Sequence, residues 1–153
     1  MNKKPYVPTD GAQYIAHSLK QLGVSHVFFI DAILRPTLVL MEELGIKRVL
    51  PHSEKSAAYM ADGYARITNR VGVCLAQSVG AANLAAGLQD AYLHRSPVVA
   101  MTGRKEPMLR HRNAYQEVPH TPIFSSTTKD SIDVAEAAEL PHLLTQAFRT
   151  ATD

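Results

Sequence analysis

His52-Ser53-Glu54-Lys55-Ser56-Ala57-Ala58-Tyr59-Met60-Ala61-Asp62-Gly63-Tyr64-Ala65-Arg66 is the stretch that decides how this chain folds. Directly before it stands the short strand-like segment Lys47-Arg48-Val49-Leu50-Pro51. Ser53 is placed to cap a helix, because its hydroxyl accepts from the unpaired amides of a first turn. Glu54 follows in that turn, and Ala57, Ala58, Met60, Ala61 and Ala65 make a small-residue helix that packs close to a neighbour. A carboxylate at a strand-to-helix junction points to the C-terminal edge of a parallel sheet, where open α/β folds bind ligands. The plainer role for Glu54 is a first-turn charge that stabilises the helix dipole.

Working outward, helix and strand patterns alternate. Thr9 or Asp10 caps a first helix whose Ile15, Leu19 and Leu22 recur at helical spacing, and Gly23 ends it. A strand over His26–Ile30 follows, then a helix from about Arg35 to Leu44, where Pro36 is tolerable only in the first turn. After the Glu54 helix come a strand over Val71–Ala76, a helix over Ala81–His94 and a strand over Pro97–Thr102. Residues 103–124 have no clean period, a last strand is expected within Ser125–Ile132, and a last helix covers about Leu140–Ala151. The strands are apolar throughout, so both sheet faces are covered, which requires parallel strands with helices on each side. The expected fold is a three-layer α/β sandwich with a mostly parallel sheet of about six strands. One domain spans residues 9–153 after a tail of residues 1–8.

Composition narrows the function classes. A chain of 153 residues suffices for one domain with a real core. The net charge of +2 gives no reason to invoke nucleic acid or an anionic membrane, and no apolar run approaches a membrane span. Cys74 is the only cysteine, which excludes an internal disulfide and points to a reducing, cytoplasmic location. The basic N-terminus has no apolar run behind it, so it does not read as a secretory signal. The seven histidines show no metal-ligand spacing, and no metal site is expected in this chain. There is no Gly-x-Ser-x-Gly elbow, dinucleotide fingerprint or phosphate loop. His52 and Ser53 are neighbours in an extended segment and point to opposite sides, so they do not make a nucleophile–base pair.

Two further segments carry signal. Gln77-Ser78-Val79-Gly80-Ala81-Ala82-Asn83-Leu84 follows a strand, and Gly80 lets the backbone approach a ligand before the next helix starts. By residue type alone it is a strand-to-helix turn. Tyr115-Gln116-Glu117 lies inside the irregular segment, and long loops in compact domains tend to be functional. The plain reading of Gln116 is a solvated surface side chain. Arg104, Lys105, Arg110, His111 and Arg112 share that loop and read as a solvated charged face, with contact to another domain or an anionic group as the alternative.

Together the motifs resemble a known family. Glu-x-x-Ala-Ala-x-Met-Ala-Asp-Gly-Tyr-Ala-Arg, starting at Glu54, is similar to the pyrimidine-binding domain of thiamine-diphosphate enzymes of the acetolactate synthase and 2-oxo-acid decarboxylase type. Residues 78–83 resemble that family's Gly-Pro-Gly-Ala-Thr-Asn turn, with Ser78, Val79 and Ala82 as departures. Tyr115-Gln116-Glu117 resembles its aromatic-Gln-Glu, placed after a strand ending in Thr-Gly, here Thr102-Gly103. Where the family carries Arg-His before the Glu, this chain has His52-Ser53, so any chemistry of that His is missing. The first strand-to-helix turn, Phe29 to Leu34, lacks the Gly and Pro of many relatives, and no cofactor contact carries over to it.

The resemblance implies thiamine diphosphate as cofactor, with Glu54 bonded to N1′ of the aminopyrimidine and promoting ylide formation as a buried carboxyl in an apolar wall. It implies that Gly80 and Asn83 line the same pocket and that Gln116 reaches it from the loop. The family binds the diphosphate through Mg²⁺, using Gly-Asp-Gly and a downstream Asn in a separate domain, and this sequence contains no Gly-Asp-Gly. A diphosphate-binding domain of the same or another chain is therefore the implied partner, in a homodimeric enzyme acting on 2-oxo acids. The chain ends where relatives finish this domain's last helix, which fits an excised N-terminal domain or the small subunit of a two-chain decarboxylase. The isolated chain is expected to self-associate and to be inactive. A non-catalytic α/β interaction or regulatory module that kept the fold is the alternative from another class.

Overall fold

The computed structural model describes residues 8–30 and 33–153. Its first helix, α1 (Gly11–Gln21), starts at Asp10, whose Oδ1 accepts from Gln13 N at 2.8 Å, so Asp10 rather than Thr9 is the cap. β1 (His26–Phe29) leads to α2 (Arg35–Glu43), with Pro36 in its first turn. β2 (Lys47–Val49) precedes α3 (Glu54–Thr68), which Ser53 caps by accepting from Ser56 N at 3.2 Å. β3 (Gly72–Gln77), α4 (Gly80–Leu93) and β4 (Val98–Gly103) follow, then the short α5 (His120–Phe124) and α6 (Leu140–Thr152). Asp31 and Ala32 of the first strand-to-helix turn, and residues 1–7 of the tail, lie outside the described residues.

The strands form one sheet in the order β2-β1-β3-β4, and every pairing is parallel. Side chains alternate along β3, so the sheet has two apolar faces. Val73 and Leu75 join Val27, Phe29, Leu19, Met41, Leu144 and Phe148 under α1, α2 and α6. Cys74 and Ala76 join Phe28, Ala57, Ala61, Leu84, Leu88 and Phe124 under α3, α4 and α5. Helix, sheet and helix thus make the three layers that continuous apolar strands demand.

The expectation of about six strands is corrected: four are present among the described residues. The strand expected within Ser125–Ile132 is a run of turns. Ser125 Oγ donates to Pro122 O at 3.0 Å, and Thr128 Oγ1 donates to Phe124 O at 2.9 Å. Such local side-chain bonds to the backbone compete with a strand ladder. The outer edge of β4 consequently opens on a cavity of about 590 Å³, walled by Thr127–Ala135 and α6.

One contact of the fold sets the geometry of the site. A Cβ on Gly87 of α4 would lie 2.6 Å from Lys55 O and 2.7 Å from Ala58 Cβ of α3. With Ala57, Ala58 and Ala61 also buried at this seam, the two helices approach at backbone distance. Tyr59 OH donates to Asp90 Oδ2 at 2.8 Å and ties the same pair further along. Their first residues, Glu54 and Gly80, are thereby brought side by side.

Candidate functional site

All strands run parallel, so the turns after β2, β3 and β4 emerge at one edge of the sheet. Glu54 opens α3 there and is half-buried, with part of its side chain open to solvent. Its carboxyl group has the Gly80 backbone and the Asn83 amide as neighbours. A Cβ on Gly80 would sit 2.5 Å from Glu54 Oε1 and 3.1 Å from its Cδ, so the carboxyl group rests directly on the Gly80 backbone. Asn83 Nδ2 donates to Glu54 Oε2 at 3.2 Å. Among the described residues no hydrogen bond engages Oε1. Val79, exposed beside Gly80, adds an apolar surface at the rim.

Sequence reasoning treated Ser78 only as a departure from the family's turn. It takes a left-handed backbone with φ of 43°, and its N–H donates to Gly103 O at 2.8 Å. Its hydroxyl is buried and has no hydrogen-bond partner among the described residues. A non-glycine residue held there costs about 1–3 kcal/mol and persists only where its surroundings dictate it. The bond to Gly103 ties the turn before Gly80 to the end of β4.

Gln116 stands apart from the other three. Its backbone is left-handed with φ of 62°, and its Nε2 donates to Tyr115 OH at 3.3 Å. It makes no hydrogen bond to Glu54 or Asn83. The structure therefore gathers Glu54, Gly80 and Asn83 and leaves Gln116 on the neighbouring loop.

For Arg104 and Arg110 the loop corrects the reading of its charges as a solvated face, while His111 and Arg112 are exposed as that reading expected. Arg104 is 15% exposed and Glu117 8%, and they pair at 2.7 Å. Arg104 also holds Asp133 at 2.8 Å, and Arg110 reaches the same carboxylate at 3.4 Å. Burial alone would raise the Glu117 carboxyl, but hydrogen bonds from Arg104 and Lys105 N and the Arg104 charge hold it below the usual range. His120, three residues on, shares a hydrogen bond with Thr102 Oγ1 at 2.8 Å. Burial, aided by the Arg104 charge, lowers its pKa.

Other candidate chemistries find no support in the geometry. Burial pushes the Cys74 thiol up to about 12, far from a reactive thiolate. Asp62, in the middle of α3, is buried but forms a two-pronged bond with Arg66 at 2.8 and 2.7 Å, which is a structural pair. Among the described residues no group of three or more His, Cys, Asp or Glu side chains is arranged to hold a metal ion, and no helix is long and apolar enough to cross a membrane.

Residues 9–123 match the family described as thiamine pyrophosphate enzyme, N-terminal TPP binding domain. The chain is 38% identical over 144 residues to the acetolactate synthase isozyme 2 large subunit of Escherichia coli (strain K12), covering 93% of this chain and 26% of that protein. It is 40% identical over 152 residues to an acetolactate synthase of Arthrospira platensis, covering 92% of this chain and 25% of the relative. Against the chloroplastic acetolactate synthase of Arabidopsis thaliana the figures are 34% over 151 residues, 97% and 22%. The chain thus spans about a quarter of the length of these relatives.

Proposed function

The chain belongs to the thiamine pyrophosphate enzyme family, matching its N-terminal TPP-binding domain, and from that premise we propose that it forms the aminopyrimidine half of an acetolactate synthase-like active site. The observation that carries this reading is the contact of Glu54 with Gly80 and Asn83 at the sheet edge. Because Gly80 lacks a Cβ, Glu54 Oε1 lies against its backbone, and among the described residues that oxygen takes part in no hydrogen bond, which leaves a hydrogen-bonding group for a flat heteroaromatic ring. The donor set therefore fits an aminopyrimidine.

In this reading Glu54 holds a proton at N1′ of the ring. Asn83 fixes the Glu54 rotamer through Oε2 and leaves Oε1 for the ligand. Gly80 gives the backbone clearance that this carboxyl position needs, and Gln116 approaches from the loop after β4. Bound thiamine diphosphate supplies an electron sink for chemistry next to the carbonyl of a 2-oxo acid. Mg²⁺ prefers oxygen ligands together with the phosphates it bridges, and we assign it to a diphosphate-binding domain outside these residues. A homodimer acting in the cytoplasm on 2-oxo acids completes the proposal.

The test is Glu54→Gln in the full-length protein. The variant should fold and bind cofactor, yet exchange the C2 proton of thiamine diphosphate at least about a hundredfold more slowly, the range in which positioned proton transfer operates. Exchange at the wild-type rate would remove Glu54 from this role.

A further inference from the structure

The loop that carries Gln116 is stitched to the end of β4 at both ends of one four-residue segment. At one end, Glu117 accepts from Arg104 Nε at 3.1 Å, Arg104 Nη2 at 2.7 Å and Lys105 N at 3.2 Å. At the other end, His120 bonds Thr102 Oγ1 at 2.8 Å. Arg104 is itself oriented from its far side, where Nη1 donates to Asp133 Oδ2 at 2.8 Å. A guanidinium between two carboxylates has its planar fork fixed in direction, which a lysine would not provide.

The loop needs such fixing. His111, Asn113 and Gln116 all adopt left-handed backbones, with φ of 62°, 51° and 62°. Conformations of that kind survive only where neighbouring contacts over-determine them. For Gln116 the neighbouring contact is Glu117, the next residue, with three donors on one buried carboxylate. Glu117 N also closes the turn by donating to Ala114 O at 3.0 Å. Gln116 therefore sits one residue from a rigid anchor, while Tyr115 on its other side is 80% exposed.

We propose that Glu117, clamped by Arg104 and Lys105 N, is the positioning residue that sets the direction of Gln116 at the active-site edge. Among the described residues the buried carboxylate bonds only Arg104 and Lys105, directly after β4, and so serves to hold the loop. Asp133 acts one step further out, by aiming Arg104. The proposal rests on the reading of Gln116 as a cofactor-side residue and adds the cause of its placement.

The test compares Gln116→Ala, Glu117→Gln and the double variant in the full-length protein. The readouts are the C2-proton exchange rate at saturating thiamine diphosphate, the cofactor Kd, and amide hydrogen exchange over residues 106–119. Glu117→Gln keeps the side chain's size and removes its charge, so the fold should persist. A positioning role gives a rate loss on the order of tenfold to a hundredfold, an unchanged Kd, faster amide exchange at Gln116, and a double variant no slower than Gln116→Ala. A slow Gln116→Ala beside a Glu117→Gln at the wild-type rate, or losses that multiply in the double variant, overturns the positioning role and leaves Gln116 in place. A wild-type rate for Gln116→Ala overturns the reading of Gln116 itself and the clamp's role with it.

Discussion

The amide of Asn83 and the carboxylate of Glu54, 29 residues apart in sequence, meet at 3.2 Å across the starts of two helices. Nothing local brings them together. The meeting depends on the close seam between α3 and α4, and that seam depends on residues without bulk. Two glycines of α4 contribute, one under the carboxylate and one deeper in the seam.

These two glycines should respond differently to the same substitution. In Gly80→Ala the new methyl meets the tip of a flexible, half-exposed side chain, so Glu54 swings aside and stability stays within about 0.5 kcal/mol. The bond to Asn83 is lost, and C2-proton exchange in the full-length protein should fall while the thermal melt barely moves. In Gly87→Ala the methyl meets Lys55 O and Ala58 Cβ at 2.6 and 2.7 Å, neither of which can move without separating the helices. Overpacking of this kind costs about 1–3 kcal/mol, offset in part by about 0.5–1 kcal/mol of helix propensity. A denaturant midpoint that drops for Gly80→Ala but not for Gly87→Ala would refute this account of the seam.

Acid should weaken the fold in two steps that map to two neighbours. His120 has a folded pKa below its ordinary 6.5. The unfolded state therefore takes up its proton first, and stability is lost as pH falls from about 6.5 through the lower folded value. Glu117 has a folded pKa below its ordinary 4.5, and its contribution vanishes only as pH falls through that depressed value. Chemical unfolding measured from pH 7 to 3 should thus show an upper slope that His120→Asn removes and a lower slope that Glu117→Gln reduces. Asp62, also lowered in the fold against its burial, adds to the lower step and keeps it from disappearing. An upper slope unchanged in His120→Asn would assign it elsewhere.

How much of this is legible in the sequence depends on how local each cause is. Asp10 and Ser53 announce their helices because a cap bonds only three residues away. Gly23 and Gly45 mark element ends, since both take positive φ. The apolar strands imply the covered sheet. The segment after Phe124 misleads, because Thr127 and Thr128 are of a type common in strands, yet they and Ser125 bond back to carbonyls three or four residues behind. The Arg104 clamp is illegible for the opposite reason: its partners lie 13 and 29 residues away, and only the folded loop reveals that a cluster of cations holds two carboxylates. The link between Glu54, Gly80 and Asn83 is readable through the family motifs, and its physical cause, the small-residue seam, is visible only once the helices are packed.

The isolated chain should bind thiamine diphosphate weakly even in excess Mg²⁺. Most of the charge-based affinity for this cofactor belongs to its diphosphate, which needs a metal ion or a cluster of donors. Among the described residues no acidic group is assembled for a metal. Arg104 and Arg110, the part-buried cations of the loop after β4, are already paired with Glu117 and Asp133. What remains is one carboxylate, one amide and the rim around Val79, enough for a ring but not for a pyrophosphate. Calorimetric titration of residues 1–153 should therefore give a Kd no tighter than roughly millimolar, about 4 kcal/mol of binding. Thiamine itself should bind about as well as its diphosphate, because the part of the ligand this chain recognises is the same in both. Micromolar affinity, or a strong preference for the diphosphate, would mean that these residues hold a phosphate site and that the division of the cofactor between two domains is wrong.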